Sequence, residues 1–322
     1  MIQQPRFHLG WDPRREAEAR RSGPFASMVR SSAAAARGLM AVQLPQSFSL
    51  LKFRQFPFDQ GQAGTCFANA ATQLMQVHTA VESIVNGKPW EVAQLSRRFG
   101  GYYGKVVEGG GNPDDGGTIA DALTAMSDDR QWGKGTCHED LWPYPGGDET
   151  AMRISLAMEP PDDAIADAAN NRVSEITDIP TTLGDDAKAM IFAGHPIGIG
   201  IWWPSYWDTV GANAFDGIGS SGSYGHAVLI IGWAVLDGKH YWQIDNSHGP
   251  IYRPLSARYA ATIPGYTPTL ESRYGFEGTN DFWVIDAALL HVLSFAGGVA
   301  TTAASITGFY AKPDILSFSE FL

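Results

Sequence analysis

The chain has two cysteines, and one of them stands where a thiol can do chemistry. Cys66 lies in "DQGQAGTCFANA", residues 59–70, after Gly61 and Gly64 and directly before a helix-like run. At a helix N-terminus the unpaired N–H groups and the macrodipole favour negative charge, so this cysteine is expected to ionise more readily than a free thiol. Acyl chemistry then needs a proton carrier, a group to orient it, and donors for an oxyanion. His226 in "SYGHAVLIIGW" follows a glycine turn at the head of an apolar strand, and Asn246 in "YWQIDNSHG" ends another strand. An asparagine there can hold an imidazole through its amide oxygen. Gln60 can offer its side-chain amide to an oxyanion alongside the Cys66 N–H. Each residue alone has a plainer reading as packing thiol, structural histidine or turn former, and it is the ordered set that points to nucleophilic catalysis. No spaced Cys/His set and no phosphate-binding glycine loop is present, so neither metal nor cofactor is expected.

The elements that must position these residues change character along the chain. An Arg- and Ala-rich leader runs to about residue 43, and "LPQSFSLL" reads as extended. Phe67 to Val85 buries one face as a helix. Glycines and an Asn-Pro pair crowd residues 100–117, which read as a loop. Further helices are expected at about 118–126 and 160–171. From Pro196 on, "PIGIGIWW", "HAVLIIGWAVL", "HYWQIDNS" and "DFWVIDAALL" are strand-like. Helices first and strands second predict an α+β fold with a cleft between two halves. The predicted division is a leader or short pro-segment at 1–43, a catalytic unit at 44–290 (helical part 44–190, strand-rich part 191–290), and an apolar tail at 291–322.

Composition excludes some partners. A net charge of −11 argues against nucleic acid, which wants a basic face. Residues 1–45 hold seven arginines against three acidic residues, a balance of +4 that leaves −15 for the remainder. The leader is either an electrostatic strap across an acidic body or, on the preferred plainer reading, a solvated helix face. The N-terminus lacks the apolar core of a secretory signal, and two cysteines make no disulfide framework. An unsecreted protein is expected, cytoplasmic or built into a virion or other assembly. Residues 287–311 contain no charged side chain, but their glycines and hydroxyl residues argue for a packed tail over a membrane span.

On these motifs the chain resembles the papain-like cysteine peptidases, in particular bacterial or phage-type members. "QGQAGTCFA" is similar to their nucleophile segment, "GHAVLIIGW" to their histidine segment and "IDNSHG" to their asparagine segment, in the same order. "LSRRF" followed by "NPDDGGTIADAL" resembles their helix and glycine pair. The resemblance implies two lobes, a helical one and an antiparallel β-rich one, with catalysis by Cys66, His226 and Asn246 and with Gln60 at the oxyanion. It also implies that Gly116, Gly117, Gly225 and Ala227 bind substrate, where bare backbone can pair with an extended peptide. Departures are Ala63 in place of a disulfide cysteine, Phe67 in place of a Trp, and His248 in place of the Trp that covers the His–Asn bond. "WWPSYW" at 202–207 is read equally as a cleft wall or as core, and 250–280 is unassigned.

The function so implied is hydrolysis of peptide bonds in peptide or protein substrates through an acyl-enzyme. Two alternatives remain open at this point: a papain-fold component of a larger assembly, joined to its partner through the C-terminal tail, or a transpeptidase or amidase using the same site. A thiolate–imidazolium pair would make Cys66 alkylate much faster than Cys137.

Overall fold

A helix with apolar residues on all sides must be enclosed on all sides, and the run that begins at Cys66 is: every residue from Cys66 to His78 is buried. The computed structural model describes residues 10–31, 43–54, 57–85, 94–179, 181–204, 207, 224–249, 281–296 and 299–307. In chain order the elements are α1 (Pro13–Ser22), α2 (Pro24–Met28), β1 (Val29–Ser31), β2 (Ser47–Ser49), α3 (Cys66–Val85), α4 (Arg97–Glu108), α5 (Ile119–Met126), α6 (Glu149–Leu156) and α7 (Asp162–Ala168). They continue with β3 (Arg172–Ile179), α8 (Gly184–Phe192), β4 (Ile197–Trp203), β5 (Tyr224–Leu236), β6 (Lys239–Asp245), β7 (Asp281–Ile285), α9 (Asp286–Ala296) and β8 (Val299–Thr307). The fold is α+β, as the order of helical and strand-like segments predicts. One lobe gathers α3 to α6, and the other is a mainly antiparallel sheet.

The sheet runs in the order β1-β3-β8-β4-β5-β6-β7, with β2 pairing β5 off that path. β5 is long enough to hold β4 over residues 224–230 and β2 over residues 232–234 on one side, and β6 on the other. The pairing Ile201↔His226 puts the candidate histidine at the β4 end of β5. β1 pairs β3 in parallel, so the leader is woven into the edge of the sheet.

A buried polar tie fixes the distance between the lobes. Gln73, two turns along α3 from Cys66, donates to Asp245 Oδ2 at 2.5 Å, and Arg54 lies 3.4 Å from the other oxygen of that carboxylate. Asp245 immediately precedes Asn246. The helix that carries the thiol is therefore bolted to the strand end that carries the amide, in surroundings where an unpaired charge would be costly.

One sequence expectation is corrected here. Residues 97–108, read partly as loop, are α4, because its glycines serve packing. A Cβ on Gly101 would meet Ala68 Cβ at 3.3 Å, and one on Gly104 would meet Ala122 Cα at 3.2 Å, so α4 lies close against α3 and α5. Gly104→Leu is expected to cost about 1–3 kcal/mol in a urea melt by overpacking this contact; an unchanged midpoint would show slack between the helices. Of the uncharged stretch at 287–311, expected as a packed tail, residues 287–296 lie in α9 and residues 299–307 form β8, which inserts between β3 and β4. No helix among the described residues is long and apolar enough to cross a membrane. Residues 308–322, and the unassigned 250–280, lie outside the described residues.

Candidate active site

Cys66 is the first residue of α3 and is fully buried. Its Sγ accepts from the backbone N–H of Gly10 at 3.3 Å and is also approached by the N–H of Ala227, the residue after His226. Burial pushes the thiol up to about 11, outweighing the backbone donors of Ala227, Gly10, Phe67 and Cys66 itself that favour the thiolate. The expected ready ionisation is thus absent while the site is covered. Cys137 is also buried, and desolvation pushes it up to about 12.

His226 and Asn246 come together as the sequence suggests, with Nε2 2.8 Å from Asn246 Oδ1. The same Oδ1 accepts from Ser247 N–H at 2.8 Å. A backbone N–H can only donate, so the atom facing it is the amide oxygen, and Nε2 must carry a proton to meet it. Nδ1 is then the basic nitrogen; it is buried and has no hydrogen-bond partner among the described residues. Burial pulls the imidazole down to about 4, with the Asn246 bond opposing. Thiol and imidazole are therefore both neutral at pH 7 in this structure.

His248 stacks on His226, ring centroids 4.5 Å apart and planes at 27°. Burial first, and the His226 ring second, lower its pKa well below the ordinary value, so it lies as a neutral plate on the His226 ring. Trp203 stands edge-on to His226 at 4.7 Å and, like Trp207, is buried in the covered site. Gln60 is buried close by. Its Oε1 accepts from Ser247 Oγ at 2.6 Å and its Nε2 donates to the Ala63 carbonyl at 2.8 Å. Phe67 packs beneath the glycine pair: a Cβ on Gly117 would meet its ring at 2.8 Å.

The leader lies across this site, a placement that the sequence left as one of two readings. Gly117 N–H donates to the Gly10 carbonyl at 2.7 Å, Asp12 N–H donates to the Gly117 carbonyl at 3.1 Å, and Trp11 N–H reaches the Gly225 carbonyl at 3.4 Å. Three of the four residues expected to bind substrate, Gly116, Gly117 and Gly225, thus back the leader itself. A Cβ on Gly116 would lie 2.4 Å from the Gly10 oxygen, and Lys105 Nζ holds the Gly116 carbonyl at 2.8 Å. Ala227 instead directs its N–H at the thiol.

The leader stays there because α1 is well anchored. Asp12 caps it by accepting from the N–H groups of Arg14 and Arg15, and proline opens its first turn. Glu16 is fully buried and accepts from Trp11 Nε1 at 3.0 Å and from the N–H groups of Ile119 and Ala120, at 2.7 and 3.2 Å, at the start of α5. Desolvation raises its carboxyl to about 7 against the pull of Arg20, Trp11 and Ile119, with Asp121 adding to the rise. Arg20 pairs with Asp178 and Arg15 with Glu108. Gly10, Trp11 and Glu16 escaped the sequence reading; the Asp-Pro helix start at 12–13 was the available signal that a turn of chain precedes an ordered helix.

The helix-borne thiol stands between a helical lobe and a mainly antiparallel sheet, and comparison with known families identifies the class of protein. Residues 54–253 match the model of the papain family of cysteine proteases, so the chain belongs to that family and is a cysteine peptidase acting on peptides or proteins. Comparison with curated proteins gives no match. Among solved structures, it is similar to xylellain, a cysteine protease from Xylella fastidiosa, at 20% identity and TM-score 0.64, covering 94% of this chain and 98% of that one. It is also similar to procathepsin B S9 from Trypanosoma congolense, at 14% identity and TM-score 0.62, covering 93% and 87%. The ragweed pollen allergen Amb a 11, in its proform, matches at 15% identity and TM-score 0.57, covering 93% and 74%.

Proposed function

We propose that this chain cleaves peptide bonds with Cys66 as nucleophile, His226 as proton carrier and Asn246 as the residue that orients His226, and that residues 10–31 keep it latent. The observation that carries the reading is the tautomer of His226. With Nε2–H held by Asn246, Nδ1 can take the thiol proton as Sγ attacks the carbonyl carbon, then deliver it to the departing amine. Water attacks the resulting thioester, gives its proton to Nδ1, and the acid leaves as the thiol is restored. The Cys66 N–H and a proton of the Gln60 amide stabilise the oxyanion; an amide NH₂ carries two protons, and one is already directed at Ala63.

Latency is supported by Gly10, whose N–H sits on the sulfur, and by the strand-like pairing of residues 10–12 with Gly117 and Gly225. Relatives of the same fold have been solved as proforms. Removing the strap lets water reach the thiol and imidazole and relieves the desolvation that keeps both neutral.

Hydrolysis of internally quenched peptides by a strap-opened variant tests the reading. In that background Asn246→Ala is expected to lower kcat about 10²-fold with KM little changed, because an orienting contact acts on the chemical step. A loss confined to KM would remove Asn246 from the orienting role.

A further inference from the structure

Cys66 is preceded by a turn with little backbone stiffness of its own. Gly61 stands at φ +59°, and Gly64 lies two residues before the nucleophile. Glycine resists rotation of its peptide planes least, so contacts from outside the turn must set where Gln60 points. The Gln60 N–H donates to the Ser247 carbonyl at 2.7 Å. Its carbonyl accepts from Ala63 N–H at 3.3 Å within the turn, and from the Tyr144 hydroxyl at 3.1 Å. Tyr144 comes from the irregular stretch between α5 and α6.

The Tyr144 hydroxyl ends a chain whose direction is fixed from the other end. Arg97 Nη1 reaches Asn69 Oδ1 at 3.1 Å. A guanidinium can only donate, so that atom is the amide oxygen, and Nδ2 of Asn69 is the donor. Nδ2 donates to the Thr65 carbonyl at 2.9 Å and to Thr65 Oγ1 at 3.1 Å. Thr65 Oγ1 lies 2.5 Å from the Tyr144 oxygen. The single phenolic proton is directed at the Gln60 carbonyl, which can only accept, so the Thr65 hydroxyl donates to Tyr144. Each link from Arg97 through Asn69, Thr65 and Tyr144 to Gln60 therefore donates in one direction, an arrangement in which each bond polarises the next. Desolvation pushes the phenol up to about 12, so its proton stays in place at neutral pH. The head of the chain is held as well. The Arg97 guanidinium lies between the rings of Phe58 and Tyr144, 4.5 and 4.0 Å from their centroids, and Nη1 also donates to the Asp59 carbonyl at 3.0 Å.

We infer that Tyr144 is a positioning residue for the oxyanion donor: its hydroxyl, oriented by Arg97 through Asn69 and Thr65, fixes the Gln60 peptide and so aims the Gln60 side-chain amide. The inference rests on the peptidase reading. Because Tyr144 acts on the reaction through Gln60, its effect on rate must vanish once that amide is gone. A residue that only packed the turn would have the same effect in either background.

The test is a double-mutant cycle in the full-length chain with Gly10→Val, which opens the strap, read with internally quenched peptides. Tyr144→Phe keeps the ring over Arg97 and removes the hydroxyl. It is expected to lower kcat about tenfold with KM little changed. Gln60→Ala is expected to lower kcat about 10²-fold, and adding Tyr144→Phe to it to change kcat by less than about twofold. Thr65→Val breaks the chain one link earlier and should match Tyr144→Phe, whereas Thr65→Ser keeps the hydroxyl and should keep the parent rate. These two variants carry the same cycle if Tyr144→Phe does not fold. With an active parent, three results overturn the inference alone: a loss that persists without the Gln60 amide, no loss in Tyr144→Phe or Thr65→Val, or Gln60→Ala at the parent rate. A folded parent that hydrolyses no peptide overturns the peptidase reading, and the inference with it.

Discussion

Cys66→Ala, made in a strap-opened chain, is expected to reduce peptide hydrolysis by about 10⁴-fold or more, since on the proposed mechanism it removes the nucleophile and leaves only binding and oxyanion contacts. The substitution is small for the site. Alanine fits the buried first position of α3, and the tie between Gln73 and Asp245 that sets the lobe spacing is untouched. A loss of this size with an unchanged urea midpoint therefore reports chemistry and not folding. Cys137 offers no substitute, because it packs with Phe99, Trp142, Ala164 and Ala168 in a separate cluster. Residual activity within tenfold of the parent would mean that another group attacks the substrate.

Gly10→Val should produce the opposite effect. A Cβ at position 10 would lie 1.6 Å from the Gly64 carbonyl oxygen, a distance no rearrangement of rotamers can relieve, so the strap must withdraw from the thiol. Withdrawal forfeits burial of the Trp11 indole and backbone hydrogen bonds to Gly117 and Gly225. A buried large side chain contributes roughly 1.5–3 kcal/mol, and each such hydrogen bond about 0.5–1.5 kcal/mol. The expected gain in activity, and in iodoacetamide labelling of Cys66 at pH 7, is about 10²-fold. In the wild-type chain Cys66 is expected to label as slowly as Cys137, contrary to what a free helix-terminal cysteine would do.

Strap docking also carries a pH dependence with a definite sign. The Glu16 carboxyl titrates near 7 when docked, against 4.5 in its ordinary state, so docking takes up a proton between those values. That contribution is fully present below 4.5 and is lost as pH rises through 7. The labelling rate of wild type relative to Gly10→Val should accordingly increase over that interval, a ratio in which the ionisation of the thiol itself largely cancels.

The geometry of the candidate site was legible in the sequence where one residue type is needed at one place in the chain order. Cys66 before a helix, His226 at a strand head and Asn246 at a strand end could be read because glycines and apolar runs fix where those elements begin. The glycines of α4 misled, since a residue that permits a turn also permits two helices to touch, and only the facing Ala68 and Ala122 decide between these uses. The leader was harder still. Its arginines suggested a solvated face, but what seats it is one buried carboxylate, Glu16, meeting the N-terminus of a helix more than a hundred residues away. Composition sums charges and cannot show which one is enclosed.

The most direct measurement is time-resolved intact mass after treatment with the peptidyl epoxide E-64, applied to wild type, Gly10→Val, and Gly10→Val with Cys66→Ala. A covered nucleophile at Cys66 requires slow labelling of wild type, rapid formation of a single adduct on Gly10→Val, and none on the double variant. No adduct on a folded Gly10→Val chain, or an adduct that persists without Cys66, would contradict it.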